Sequence, residues 1–258
     1  MSHIYYQEAG SGPPLVFLHG FCDSHQLWSE FIQPFTPLYR VITPDLPGFG
    51  QSPMLPEPFS IDEAGDALGA WMVEKKIHKP VIIGHSLGGY VALSLLTRHP
   101  DSASAIGLFH STPYGDSPER KKIRDKVISF VQEHGVEPFI ETFVPGLFQD
   151  KSNPNIATTR ERSITTKKDV LISYAHAMRD RPDRSEMAIR DGRPILVIAG
   201  ANDSLIPIDD LRKFAKMNQK ANLFEVPNTA HMGIFEAKRL CQTIISGFVE
   251  KVVPNKPI

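Results

Sequence analysis

A serine, a histidine and an aspartate in this chain sit in flanking sequences suited to nucleophilic catalysis. Gly84-His85-Ser86-Leu87-Gly88 fits the pattern G-x-S-x-G, directly after the strand-like run Val81–Ile83 and at the start of a helical pattern. That context defines a nucleophile elbow. A sharp strand-to-helix turn holds the serine in a strained backbone conformation, and glycines beside it avoid collisions with neighbouring elements. The hydroxyl then stands at a helix N-terminus, where the macrodipole favours developing negative charge. A neutral serine is a weak nucleophile and needs an adjacent base. His231, in Pro227-Asn228-Thr229-Ala230-His231 after the run Leu223–Val226, is the expected base. Asp203, in Gly200-Ala201-Asn202-Asp203 after Ile195–Ala199, is the expected acid that orients it. The duller reading of Asp203 is a turn residue, and Asp116 is the competing acid.

Ten histidines are present, so His231 has rivals. His85 lies inside the elbow, with its side chain expected to point away from Ser86. His19 precedes a tight turn and is expected to brace that loop. His110 follows the run Ala105–Phe109 and is a candidate for the pocket lining. The others fall in surface, insertion or connecting positions. Two backbone N–H groups must receive the tetrahedral oxyanion. Leu87, the residue after the nucleophile, supplies one, and Phe21 in His19-Gly20-Phe21 supplies the other.

The elements that must position these groups follow from the apolar pattern. Leu15–Leu18, Val41–Thr43, Val81–Ile83, Ala105–Phe109, Ile195–Ala199 and Leu223–Val226 are largely apolar runs of strand length. Such runs indicate a parallel sheet covered on both faces. Ser60-Ile61-Asp62-Glu63 reads as a capping box, followed by an apolar stripe of Ile61, Ala64, Leu68, Trp71 and Met72. A helix is predicted from Ser86 to about Arg98, and a last one from Ile234 to Val249. The order is that of an open, doubly wound α/β sheet. Both catalytic loops follow strand C-terminal ends, where such sheets bind ligands.

One stretch interrupts the alternation. Ser117-Pro118 starts a helix that Gly135 ends, Pro138–Phe148 is rich in aromatics, Asn153-Pro154 starts another, and Lys168–Met178 is helical. Residues 113–190 are therefore expected to be a helical cap or lid. Residues 1–112 and 191–258 form the core domain.

Composition narrows the class of function. With 41% hydrophobic and 22% charged residues the chain can bury a sizeable core. A net charge of −1 argues against nucleic-acid binding. Two cysteines, Cys22 and Cys241, make neither a disulfide framework nor a metal site, and fit a reducing compartment. No signal peptide and no apolar run of spanning length is evident, so a soluble cytoplasmic protein without membrane partners is expected. Nothing suggests a metal or organic cofactor, and oligomeric state is open.

Taken in order, His19-Gly20-Phe21, Asp45-Leu46-Pro47-Gly48-Phe49-Gly50-Gln51-Ser52, Gly84 to Gly89, Gly200 to Asp203 and Ala230-His231 resemble the α/β-hydrolase superfamily. The resemblance implies an eight-stranded, mostly parallel sheet with a helical cap inserted after the sixth core strand. Ile4–Glu8 resembles the family's second strand, so seven strands are expected here. The Asp45–Ser52 segment is implied to be structural, with Asp45 bonding local backbone. Serine at the elbow argues against the dehalogenase and epoxide-hydrolase members, which carry aspartate there. The expected activity is hydrolysis of small or medium uncharged carboxylic esters through an acyl-enzyme. A carbon–carbon hydrolase, a cofactor-free perhydrolase, a lyase or a small-molecule receptor are the alternatives. Tyr114, Met232, Phe139 and Phe143 join His110 as candidate pocket residues.

Overall fold

A computed structural model describes residues 3–253 of the chain. Strands β1 (Tyr6–Ala9), β2 (Pro14–Leu18), β3 (Arg40–Pro44), β4 (Val81–His85), β5 (Ala105–Phe109), β6 (Ile195–Gly200) and β7 (Ala221–Val226) form one sheet. Their spatial order is β1-β3-β2-β4-β5-β6-β7. β1 is antiparallel to β3, and the remaining neighbours are parallel. The sheet therefore has seven strands, with the doubly wound arrangement expected.

Helices α1 (Ile61–Glu74) and α2 (Leu87–Arg98) flank β4 in sequence. Between β5 and β6 lie α3 (Pro118–His134), α4 (Val136–Gly146), α5 (Asn155–Ser163), α6 (Lys168–Asp180) and α7 (Ser185–Arg190). Then follow α8 (Ile208–Met217), α9 (Gly233–Glu236) and α10 (Lys238–Val252). In the family's count, which includes a strand before β1, β5 is the sixth strand.

Alternate residues of the central strands serve opposite faces. Val16 and Leu18 pack with Leu68, Trp71 and Val91 of α1 and α2. Leu15 and Phe17 pack with Trp28, Phe31, Phe248 and Val249 on the other face. Each fully buried side chain of this size contributes about 1.5–3 kcal/mol. This double coverage is why β4, β5 and β6 are buried along their whole length. Ser60 and Glu63 form the capping box at the start of α1, and Ser117 caps α3 with Pro118 in its first turn.

Three expectations need correction. The C-terminal helix is two helices, α9 and α10, broken at Ala237 (φ −136°, ψ 38°). Edge strand β7 is not an unbroken buried run: Asn222, Phe224 and Glu225 are exposed, and β6 is the one strand that pairs with it among the described residues. Helix α8 has no counterpart in the sequence reading, although Ile208, Leu211 and Phe214 recur at helical spacing.

Candidate active site

Ser86 joins β4 to α2 at φ 49°, ψ −114°, a conformation costing about 1–3 kcal/mol for a residue with a side chain. Surrounding bonds hold it there. Ser86 N–H donates to Phe109 O at 3.0 Å, and Ser86 O accepts from Gly89 N–H at 2.9 Å and from Ser111 Oγ at 2.7 Å. Two close approaches demand glycine. A Cβ at Gly84 would lie 2.4 Å from Gly88 C and Gly89 N, and one at Gly88 would lie 2.5 Å from Leu18 O. The turn can be this tight only without those side chains.

Because β2, β4, β6 and β7 run in parallel, the loops after them open on one rim. His231 Nδ1 lies 2.7 Å from Asp203 Oδ2. A carboxylate on that side fixes the proton on Nδ1 and leaves Nε2 free to accept. Asp203 Oδ1 accepts Leu205 N–H at 2.9 Å and Ile206 N–H at 3.2 Å. Burial opposes ionisation of Asp203, but His231, His110 and these bonds outweigh it and hold the carboxyl far below the usual range.

Ser86 and His231 border the same small recess, of about 20 Å³, without a hydrogen bond between them. Catalytic contacts in unliganded sites are often long and tighten around substrate. Among the described residues, neither Phe21 N–H nor Leu87 N–H is taken by a backbone acceptor. His19 braces the Phe21 loop: its Nε2 accepts Leu46 N–H at 2.9 Å and its Nδ1 faces Gly20 O at 2.8 Å.

The competing acid does other work. Asp116 is buried and bound to Arg181 at 2.6 Å and Arg124 at 3.0 Å, with Arg120 at 3.4 Å. No contact joins it to His231. Asp45 accepts His25 N–H at 2.6 Å and Gln51 N–H at 2.9 Å, and also meets the His25 ring at 2.8 Å.

A second cavity, of about 180 Å³, runs from Ser86 and Phe21 under the insertion. Phe139 and Phe143 line it, stacked at 4.9 Å, and Met232 lines the smaller recess. Two other pocket candidates do not. His110 is fully buried behind the acid, with Nδ1 accepting Gly200 N–H at 3.1 Å and Nε2 facing Gly233 N–H at 3.2 Å. Tyr114 packs against the core and lines neither cavity, and Tyr90 lines the larger one instead. His85 also departs from expectation: it borders the small recess, and its Nε2 donates to His231 O at 3.0 Å. Cys22 is fully buried and burial pushes its thiol up, so it is a packed residue.

Residues that the sequence did not single out complete the walls. Asp23 pairs with Arg162 at 2.9 Å beside the small recess. Arg120, Arg124, Val127, Met178 and Leu205 line the larger cavity. Arg120 and Arg124 belong to the basic run Arg120–Lys126, which as sequence reads as a solvated helix face. Their spacing of four on α3 was visible, but the buried carboxylate that turns them inward was not.

The family model described as alpha/beta hydrolase fold matches residues 13–238. A pimeloyl-[acyl-carrier protein] methyl ester esterase of Chromobacterium violaceum is 25% identical, over 89% of this chain and 91% of that protein. A Bacillus subtilis protein provisionally named 2-succinyl-6-hydroxy-2,4-cyclohexadiene-1-carboxylate synthase is 26% identical, over 96% of each. The structure of a thermophilic esterase from Thermogutta terrifontis superposes with a TM-score of 0.89 at 25% identity, covering 96% of this chain and 93% of that one.

Proposed function

Since the chain belongs to the alpha/beta hydrolase fold family, we propose that it is a serine carboxylesterase with Ser86 as nucleophile, His231 as general base and Asp203 as orienting acid. The observation that carries this reading is the 2.7 Å contact of Asp203 with His231 Nδ1, across a recess from a strained serine. His231 Nε2 takes the Ser86 proton as Oγ attacks the ester carbon. The oxyanion is received by the N–H groups of Phe21 and Leu87, each worth about 2.7–4 kcal/mol by analogy with other sites. His231 returns the proton to the departing alcohol, which leaves an acyl-serine. The recess of about 20 Å³ holds roughly one water. His231 deprotonates that water, it attacks the acyl carbon, and the acid departs with Ser86 restored. The helical segment between β5 and β6 acts as a cap, and its Phe139 and Phe143 make the acyl side apolar.

The test is turnover of a chromogenic ester series from acetate to octanoate, with Ser86→Ala as control. Turnover by the native protein is expected, with the variant folded and reduced to background. Absence of turnover across the whole series would sink esterase activity. A second reading, lyase chemistry on the same three residues, draws on the likeness to the Bacillus subtilis synthase. Labelling of Ser86 by a fluorophosphonate without turnover of any ester would favour it.

A further inference from the structure

Resting on the esterase reading, we infer that the cavity under the insertion takes an acyl chain ending in a carboxylate, so that the preferred substrates are half-esters of short dicarboxylic acids. The cavity wall is chemically mixed. Ser86 and Phe21 line it together with the apolar side chains of Phe139, Phe143 and Met178. Arg120 and Arg124 line the same cavity.

The charge inventory there is unbalanced. Three guanidinium groups, Arg120, Arg124 and Arg181, share the single buried carboxylate of Asp116. Arg181 is engaged through both terminal nitrogens: it bonds Asp116, Met178 O and Tyr114 O, and lies 3.9 Å over the Tyr90 ring. Arg124 spends only Nε, at 3.0 Å from Asp116, and its two terminal nitrogens meet no protein acceptor among the described residues. Arg120 gives Nε to Asp116 and one terminal nitrogen to Leu205 O. Other acids nearby are engaged elsewhere and do not line the cavity. Asp183 accepts Gly115 and Ser185 groups, Asp210 pairs with Lys213 and Glu119 accepts from Ser117. Arg124 is 18% exposed at its side chain, so its free fork is partly shielded at the cavity wall and suits a planar anion.

A cavity of about 180 Å³ admits a short acyl chain and not a long one, so the acid should be a short one. An uncharged ester would leave the free guanidinium nitrogens desolvated and unpaired when it entered, which penalises it against the half-ester.

The experiment compares kcat/KM for methyl hydrogen adipate with dimethyl adipate and methyl hexanoate. The half-ester should be favoured by about tenfold or more, the scale of one charge-assisted hydrogen bond. That preference should shrink when ionic strength rises from about 0.05 to about 0.5 M. It should fall at least about fivefold in Arg124→Gln and in Arg120→Gln. Each variant leaves two guanidiniums on Asp116, so the failure of one to fold leaves the other to carry the test. A preference below about twofold, or one unaltered in both variants, overturns the inference. Calorimetric binding of the same three esters to Ser86→Ala separates it from the parent reading. Selective binding of the half-ester without turnover by the native protein retains the anion site and rejects the esterase. Turnover of all three esters without preference, and equal binding, does the reverse.

Discussion

Two buried aspartates on the same side of the molecule have opposite tasks. Asp203 holds one imidazole, and Asp116 holds three guanidiniums. Their variants should separate accordingly. Asp203→Asn keeps the shape but favours the wrong tautomer of His231, and kcat should fall by about four orders of magnitude with a near-native melting curve. Asp116→Asn leaves Arg181, 3% exposed at its side chain, without its counter-charge. It should lose about 3–5 kcal/mol of stability in denaturant titration while retaining most of its kcat. A crippled Asp116→Asn beside a nearly silent Asp203→Asn would transfer the acid role. The sequence offered both residues at strand ends and could rank them only by family order. The deciding fact is which loop swings toward β7, a three-dimensional property.

At the scale of elements, the base is held by the insertion as well as by the sheet. His231 N–H donates to Leu147 O at 2.9 Å. Glu236 at the end of α9 accepts Ala230 N–H at 3.0 Å and Gln149 N–H at 2.5 Å. One carboxylate thus ties the loop carrying His231 to the segment after α4, and the chain breaks from helix directly afterwards, at Ala237. Glu236→Ala should unpair both donors, at about 1–3 kcal/mol in stability. It should also lower kcat by roughly tenfold with a smaller change in KM, since the base loses its aim and not its pocket. Glu236→Gln, which keeps an acceptor oxygen, should recover part of the loss. Steady-state kinetics of the pair decide it: equal kcat in all three proteins would remove Glu236 from any positioning role. Central strands were legible because burial on both faces writes an unbroken apolar run. Edge strands β1 and β7 and helix α8 were less so, because half their surface is solvent and their patterns resemble those of loops.

Across the whole molecule, three imidazoles are buried as neutral groups. Burial lowers His19 despite Asp45, lowers His110 despite Asp203, and lowers His85 well below its ordinary value with His231 and His110 adding to the effect. In the unfolded chain each titrates near 6.5, so below that pH the unfolded state binds protons that the native state does not. Stability is therefore complete above about pH 6.5 and falls as pH drops toward the folded values, by up to about 4 kcal/mol per pH unit for the three together. Asp45, Asp116 and Asp203 are held below the usual carboxylate range, so the stability they contribute is lost only at lower pH. Unfolding free energies from denaturant titrations at about pH 8, 7, 6 and 5 should be level across the first two and decline through the last two. A level profile down to pH 5 would show that these three rings accept protons in the native state as readily as in the unfolded chain.

The sheet and the elbow were legible in the sequence, since both are written locally: apolar runs for the strands, and glycines where an added Cβ would fall within 2.5 Å of neighbouring backbone. The sequence also named the residues that meet at the rim, because parallel strands deliver their ends to one edge. Folding was needed to show that His110 backs Asp203, that Tyr90 and not Tyr114 faces the cavity, and why Arg120 and Arg124 of α3 turn to Asp116. Those outcomes depend on groups distant in the chain, such as Asp116 with Arg181 or Glu236 with Gln149, whose pairing leaves no local pattern to read.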